Sequence, residues 1–112
     1  MTSLSVILPT YNEVENITLM ISALETELAE LEFEIIVVDD NSLDETQEAV
    51  IKCMDEYSNI RLIARTHNRG LVNSIRDGIE EAKCEICLWM DADLSKAYLT
   101  FGFLNAITNG VD

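Results

Sequence analysis

The sequence predicts an α/β protein, a three-layer α/β/α arrangement on a mostly parallel sheet. Three observations carry that prediction. Short apolar runs of strand character alternate with stretches whose apolar residues recur every three or four positions. The strand-like runs are continuous rather than alternating, as in strands covered on both faces. The first, second and fourth runs lead straight into polar or acidic residues. The order β-α-β-α-β-α-β-α implies a parallel sheet with helices on its faces and right-handed crossovers.

Leu4-Ser5-Val6-Ile7-Leu8, closed by Pro9, reads as the first strand. Asn12 fits an N-cap, with Glu15 three residues on completing a capping box. Val14, Ile17, Ile21, Leu24, Leu28 and Leu31 then form one apolar stripe, predicting a helix from about Glu13 to Glu30. Glu34-Ile35-Ile36-Val37-Val38 is the second strand and ends in Asp39-Asp40. Ser42 with Glu45 repeats the capping-box pattern. A second helix is expected to turn Ala49, Val50, Cys53, Met54 and Tyr57 inward. Ile60 to Ala64 is the third strand. Gly70 marks a turn, and Leu71, Ile75, Ile79 and Ala82 stripe a third helix. Ile86-Cys87-Leu88-Trp89-Met90 is the fourth strand, with Trp89 expected in the core. A last helix, about Ala97 to Thr108, carries Leu99, Phe103, Leu104 and Ile107 before Asn109-Gly110 stops it.

The size, 112 residues with 48% hydrophobic content, suits one compact unit with a core. No stretch approaches the roughly 20 apolar residues of a membrane span. The N-terminus lacks the basic region of a signal peptide. A formal net charge of −14 argues against nucleic acid as a partner and against unaided docking on anionic lipid. Anionic ligands would need a metal or backbone amides to supply local positive charge. Cys53, Cys84 and Cys87 are odd in number, which predicts a reduced, cytoplasmic setting. Cys84-Glu-Ile-Cys87 has C-x-x-C spacing but enters a strand rather than a helix, so small buried side chains are expected there.

The chemistry concentrates where the fourth strand ends. In extended chain, side chains at i and i+2 point the same way, so Asp91 and Asp93 project together. Two close carboxylates repel unless a positive charge lies between them. A hard divalent cation, Mg²⁺ or Mn²⁺, shared with a phosphate meets that need; a plain surface turn is the alternative. In open sheets of this class, ligands bind beyond the carboxyl ends of the strands, where strand order reverses. If strands one and four are neighbours, Pro9 to Glu13, Asp39-Asp40 and Asp91-Ala92-Asp93 share one rim.

Several familiar sites are absent. There is no G-x-G-x-x-G after the first strand and no G-x-x-x-x-G-K-[ST]. Asp91, Asp93 and Ser95 match the first ligand positions of an EF-hand loop, but Lys96 stands where its glycine belongs and Gly102 where its glutamate belongs. A single His and no G-x-S-x-G elbow leave a hydrolytic triad unsupported.

Taken together, Leu8-Pro9-Thr10-Tyr11-Asn12-Glu13, Val37-Val38-Asp39-Asp40-Asn41-Ser42-Leu43-Asp44-Glu45-Thr46 and Met90-Asp91-Ala92-Asp93-Leu94-Ser95 resemble the family 2 glycosyltransferases. The resemblance is greatest to the polyprenol- and dolichol-phosphate mannosyltransferase branch, and Asn68-Arg69-Gly70-Leu71 adds a weaker match. It implies a GT-A, Rossmann-like fold, a nucleotide-diphosphate sugar (GDP-mannose or a UDP-sugar) and a divalent metal, Mg²⁺ or Mn²⁺. It implies hexosyl transfer to a polyprenyl or dolichyl phosphate, and with it a peripheral position at the cytoplasmic membrane face. Pro9, Tyr11 and Glu13 would line the nucleoside pocket. Val38 would contact the base or ribose, and Asp40 would accept a hydrogen bond from a ring N–H of the base. Asp91, Ala92 and Asp93 would sit at the ribose and diphosphate. Asp91, Asp93 and Ser95 are the implied metal ligands, with Asp93 the catalytic one.

Other readings stand beside these. Glu13 also suits a first-turn acid favoured by the helix dipole. Asp39 is expected to support the turn, Ser42 to cap a helix, and Arg65 and Arg69 to lie outside the site. The chain departs from the family at Lys96-Ala97-Tyr98, where the family continues with His and proline. The family's catalytic domain is also longer, so residues 1–112 are expected to be its donor-binding half, apparently truncated. The alternative is a nucleotide-sugar-binding module or remnant without independent catalysis. An uncovered sheet edge and apolar flank would favour self-association.

Overall fold

The computed structural model describes residues 3–92. The elements are β1 (Ser3–Thr10), α1 (Ile17–Glu27), β2 (Glu32–Asp39), α2 (Thr46–Glu56), β3 (Ile60–Ala64), α3 (Leu71–Glu81) and β4 (Ile86–Trp89). All strand pairs are parallel, and the order across the sheet is β3-β2-β1-β4. The chain steps outward from β1 to β3, then crosses back to place β4 on the other side of β1. Strand order therefore reverses between β1 and β4. The expected final helix, 97–108, lies outside the described residues.

The continuous apolar runs cover both faces, as the strand pattern requires. Leu4, Val6 and Leu8 of β1 and Ile35 and Val37 of β2 pack with Ile17, Met20, Ile21 and Leu24 of α1 and Val50 and Cys53 of α2. Ile7, Ile36 and Val38, pointing the other way, form a smaller layer with Ile63 and Ala82 on the α3 side. Parallel crossovers are right-handed, so reversing the direction of travel moves the connecting helix to the opposite face. This places α1 and α2 on one face and α3 on the other.

Several local expectations change in the folded chain. Asn12 does not cap α1; its backbone is left-handed (φ 53°) and its Oδ1 accepts hydrogen bonds from Leu43 N (2.9 Å) and Asp44 N (3.3 Å). Glu13 to Asn16 form a turn instead, and α1 begins at Ile17. Ser42 does not cap α2, because both its N–H and its hydroxyl donate to Asp39. The N-cap position is Glu45, and Asp44 just before it accepts at Oδ1 from Thr46 N at 2.9 Å and from the Thr46 hydroxyl. Those Thr46 donors hold the Asp44 carboxyl below its usual range.

Burial also departs from the stripes. Met54, Leu71 and Ile79 are exposed, and α3 meets the sheet through Ser74 and Gly78. Small residues there let the helix approach closely, which turns its larger apolar residues to the flank. Trp89, expected in the core, is 46% exposed, and Cys87 is exposed too. The reason is position: α3 packs over β1 and β2, while β4 ends the sheet among the described residues. Ile86 and Leu88 face the α1 side of the core, and Cys87 and Trp89 point the other way.

Candidate functional site

The carboxyl ends of the strands form one rim. Thr10 pairs with Asp39, and Asp39 with Ala64. Past the last paired residues, Asp40 N donates to Thr10 O (3.0 Å), Arg65 N to Asp39 O (2.8 Å) and Met90 N to Ile7 O (3.1 Å). Strands β1 and β4 are neighbours. The segments Pro9 to Glu13, Asp39-Asp40 and Asp91-Ala92 thus lie at the ends of three adjacent strands, at the point where strand order reverses.

Asp39 knits this rim together. It is fully buried, and its carboxylate accepts from Thr10 Oγ1 (2.7 Å), Ser42 Oγ (2.6 Å), Ser42 N (2.9 Å) and Gln47 Nε2 (2.8 Å). A carboxylate has about four acceptor directions, so these donors saturate it. Asp39 supports the turn, as expected. The β1 loop is tied to the β2 loop by Asn12 N donating to Ser42 Oγ (2.8 Å) and Glu13 N to Thr46 Oγ1 (2.9 Å). The Glu13 carboxylate accepts from Asn16 Nδ2 (3.3 Å).

Asp40 has different surroundings. Its Oδ1 accepts from Arg65 Nη1 (3.0 Å) and its Oδ2 from Gly70 N (2.9 Å). Gly70 has φ +131°, a backbone conformation closed to other residues, and that geometry aims its N–H at the carboxylate. Arg69 donates from Nη2 to the Asp40 carbonyl (3.1 Å), and its guanidinium lies 4.6 Å from the centroid of the exposed Tyr11 ring. That is cation–π distance. Arg65 is buried and also donates to Asp77 Oδ2 (2.6 Å) and Asn68 O (2.9 Å). The Asp77 hydrogen bond, outweighing burial and joined by the charges of Asp77 and Asp40, holds the guanidinium more firmly protonated.

The expected site residues separate into groups. Pro9, Tyr11, Glu13, Asp40, Asp91 and Ala92 all lie on the rim segments. The Val38 side chain does not face the rim: it is fully buried in the α3-side layer with Ile7 and Ile36. It underpins the Asp39-Asp40 turn rather than presenting a surface to a ligand. Ala92 is also buried, while Asp91 is exposed. Asp93 and Ser95 lie outside the described residues. Sequence reasoning set Arg65 and Arg69 aside, yet both engage Asp40. The available signal was an arginine directly after the apolar run of β3.

A metal ion would find hard oxygen donors at β4. Among the described residues, Asp91 is the carboxylate just past the end of β4. No group of three or more His, Cys, Asp or Glu suited to a metal occurs among the described residues. A hollow of about 450 Å³ between α1 and α2 is lined by residues such as Thr18, Lys52, Cys53 and Tyr57. Burial pushes the Cys53 thiol up, which makes it a poor nucleophile. No helix among the described residues is long and apolar enough to cross a membrane.

Comparison with known proteins places this geometry. The dolichol-phosphate mannosyltransferase of Pyrococcus furiosus is 38% identical over 109 residues, 96% of this chain and 31% of that protein. The dolichol-phosphate mannosyltransferase of Saccharomyces cerevisiae is 40% identical over 94 residues, 80% of this chain and 35% of that protein. The chain thus spans about a third of the length of the curated relatives it matches. Among solved structures, mannosyltransferase PcManGT from Pyrobaculum calidifontis, in complex with GDP-Man and Mn²⁺, superposes with a TM-score of 0.69. It is 29% identical, over 80% of this chain and 27% of that one. TarS from S. aureus with UDP-GlcNAc gives a TM-score of 0.69 at 32% identity, over 81% of this chain and 26% of that one. Residues 5–97, nearly the whole described sheet with its rim, match the profile of glycosyl transferase family 2, and the chain belongs to that family.

Proposed function

We propose that residues 1–112 form the donor-binding part of a sugar-transferring domain. It takes a nucleotide-diphosphate sugar, GDP-mannose or a UDP-sugar, together with Mg²⁺ or Mn²⁺. The whole protein then passes the hexosyl group to a polyprenyl or dolichyl phosphate. The observation that carries this reading is the shared rim at the β1/β4 reversal. An aromatic ring, an anchored acceptor carboxylate and the first aspartate of Asp91-Ala92-Asp93 follow the ends of the three adjacent strands β1, β2 and β4. The family and the ligands of the neighbouring structures support the same conclusion.

Each rim residue has a task that suits its chemistry. Tyr11 offers a ring face for the base, and Asp40, an acceptor only, reads a ring N–H. Pro9 and Glu13 shape the nucleoside side of the pocket from the β1 loop. Arg69, on the Tyr11 ring, supplies positive charge to a chain of net charge −14 that has to hold a diphosphate. Asp91 and Asp93, with Ser95, would hold the metal. When bound, the ion neutralises charge on the diphosphate as it leaves. A lipid phosphate acceptor is already anionic, so it needs no general base from the protein, and it brings the domain to a membrane surface.

The test is titration calorimetry of the chain with GDP and UDP, with and without Mn²⁺. Metal-dependent binding is expected, and Asp93→Ala is expected to abolish it while leaving the circular dichroism spectrum unchanged. Absence of nucleotide binding in the presence of Mn²⁺ would leave only a remnant that shares the fold. Turnover assays with donor and lipid phosphate separate an enzyme from a binding module. No transfer is expected from residues 1–112 alone.

A further inference from the structure

Arg65 has no part in the reading above, yet it is the one lysine or arginine that is buried among the described residues. It is 7% exposed, and each nitrogen of its fork has a separate partner. Nε donates to Asp77 on α3, Nη1 to Asp40 past β2, and Nη2 to the Asn68 carbonyl in the β3–α3 loop. One side chain thus ties a strand tip, a loop and a helix together. Its effect on Asp40 is specific. With Arg65 on Oδ1 and Gly70 N on Oδ2, each carboxylate oxygen has one direction taken by a protein donor. Each oxygen keeps about one further acceptor direction. The carboxylate cannot rotate without breaking a buried charge-assisted bond, and bonds of that kind are the strong ones.

We infer that Arg65 is a positioning residue that fixes Asp40 as a reader of ring N–H groups, so that it sets which bases the site accepts. Uracil and guanine present a ring N–H where cytosine and adenine present a bare acceptor nitrogen. A fixed, acceptor-only carboxylate attracts the first pair and repels the second. Lysine cannot replace the arginine fully, since a point charge lacks the fork that reaches three partners at once. The inference rests on Asp40 as the base reader proposed above. It adds the residue that makes Asp40 selective, and Asp77 as the anchor behind that residue.

The experiment is titration of the chain with UDP, GDP, CDP and ADP, each with Mn²⁺, for the wild type and for Arg65→Met, Arg65→Lys and Asp77→Asn. The wild type is expected to bind UDP or GDP at least about tenfold more tightly than CDP and ADP, the worth of one hydrogen bond to a charged group. Arg65→Met is expected to shrink that ratio to about threefold or less by weakening UDP and GDP alone, on the same scale. Arg65→Lys should restore part of it. Should Arg65→Met not fold, Asp77→Asn, outside the proposed base contact, is expected to lower the ratio in the same direction. If all four nucleotides weaken alike, or the ratio stays at its wild-type value, Arg65 is only structural and the inference is overturned. If the wild type binds no nucleotide, or binds all four equally, the assignment of Asp40 fails first.

Discussion

Gly78→Ala sets two effects of opposite sign against each other, and the structure decides between them. Gly78 is buried in α3 where the helix meets the sheet. A Cβ added there would lie 2.6 Å from Ile7 Cγ2, 3.2 Å from Ile7 Cγ1 and 3.2 Å from Val38 Cγ2. Carbon atoms pack best at about 3.5–4.0 Å. Both neighbours are β-branched and stiff at χ1, and both are fully buried, so neither side chain can swing aside. In favour of the substitution, alanine gains about 1 kcal/mol of helix propensity over glycine. Against it, overpacking a well-filled core costs about 1–3 kcal/mol. With three close contacts and no flexible atom to yield, the upper part of that range applies. The net expectation is a loss of about 1–2 kcal/mol. Urea unfolding followed by circular dichroism would then show a midpoint lower by roughly 0.5–1 M with an unchanged slope. Arg76→Ala, at an exposed α3 position, is the control and should shift stability by no more than about 0.5 kcal/mol. A Gly78→Ala protein as stable as the wild type, or more so, would refute the argument that this glycine sets the distance between α3 and the sheet.

Three further outcomes follow from the same structure. Asp39→Asn leaves one acceptor oxygen and turns an NH₂ toward buried donors, so it is expected to cost about 3 kcal/mol or more in chemical denaturation; near-wild-type stability would show that Asp39 does not knit the rim. Burial pushes the Glu34 carboxyl up, but hydrogen bonds from Ser5, Lys83 N and Arg61, with the Arg61 charge, outweigh it and hold the group below its usual 4.5. Its stabilisation is therefore complete above about pH 4.5 and is lost as pH falls through the lower folded value. Ser5→Ala, which removes a 2.6 Å donor, should move that loss to higher pH in acid titrations, and an unchanged acid limb would contradict it. Trp89 is the single tryptophan and is exposed on β4, as are Leu71, Val72 and Ile79 on α3. The chain by itself is expected to self-associate through this side, with Trp89 emission moving to the blue and the sedimentation coefficient rising with concentration. Trp89→Lys should suppress both, and concentration-independent behaviour would exclude the association.

The fold was legible because its main signals are local. The runs Val6-Ile7-Leu8 and Ile35-Ile36-Val37-Val38 are apolar, mostly β-branched and uninterrupted, so they read as doubly covered strands. The α1 stripe of Ile17, Ile21, Leu24 and Leu28 reads as one face of a helix, and all four residues are buried. The acidic strand ends marked the rim, and their spacing resembled a known family. The misreadings came where the partner is distant. Asn12 looked like a cap for α1, but its hydrogen bonds span some thirty residues, from the β1 loop to the β2 loop; Ser42 looked like a cap for α2, but its donors turn back to Asp39 while its hydroxyl oxygen accepts from Asn12 N. Val38 reads as any other apolar strand residue until the sheet assigns it to the α3 face.

By itself, then, the sequence determined the order of the described elements, the parallel sheet, the family and the acidic strand ends that share one rim. Periodicity and short patterns record what each residue does with neighbours a turn or a strand away. Only the tertiary structure decided that β4 lies at one side of the described sheet with Trp89 uncovered. It alone decided that α3 touches the sheet through Gly78, and that Arg65 clamps Asp40 against Asp77. Those outcomes depend on which strand lies beside which and on which face each helix covers. These are properties of closing the chain on itself, and no local window of residues contains them.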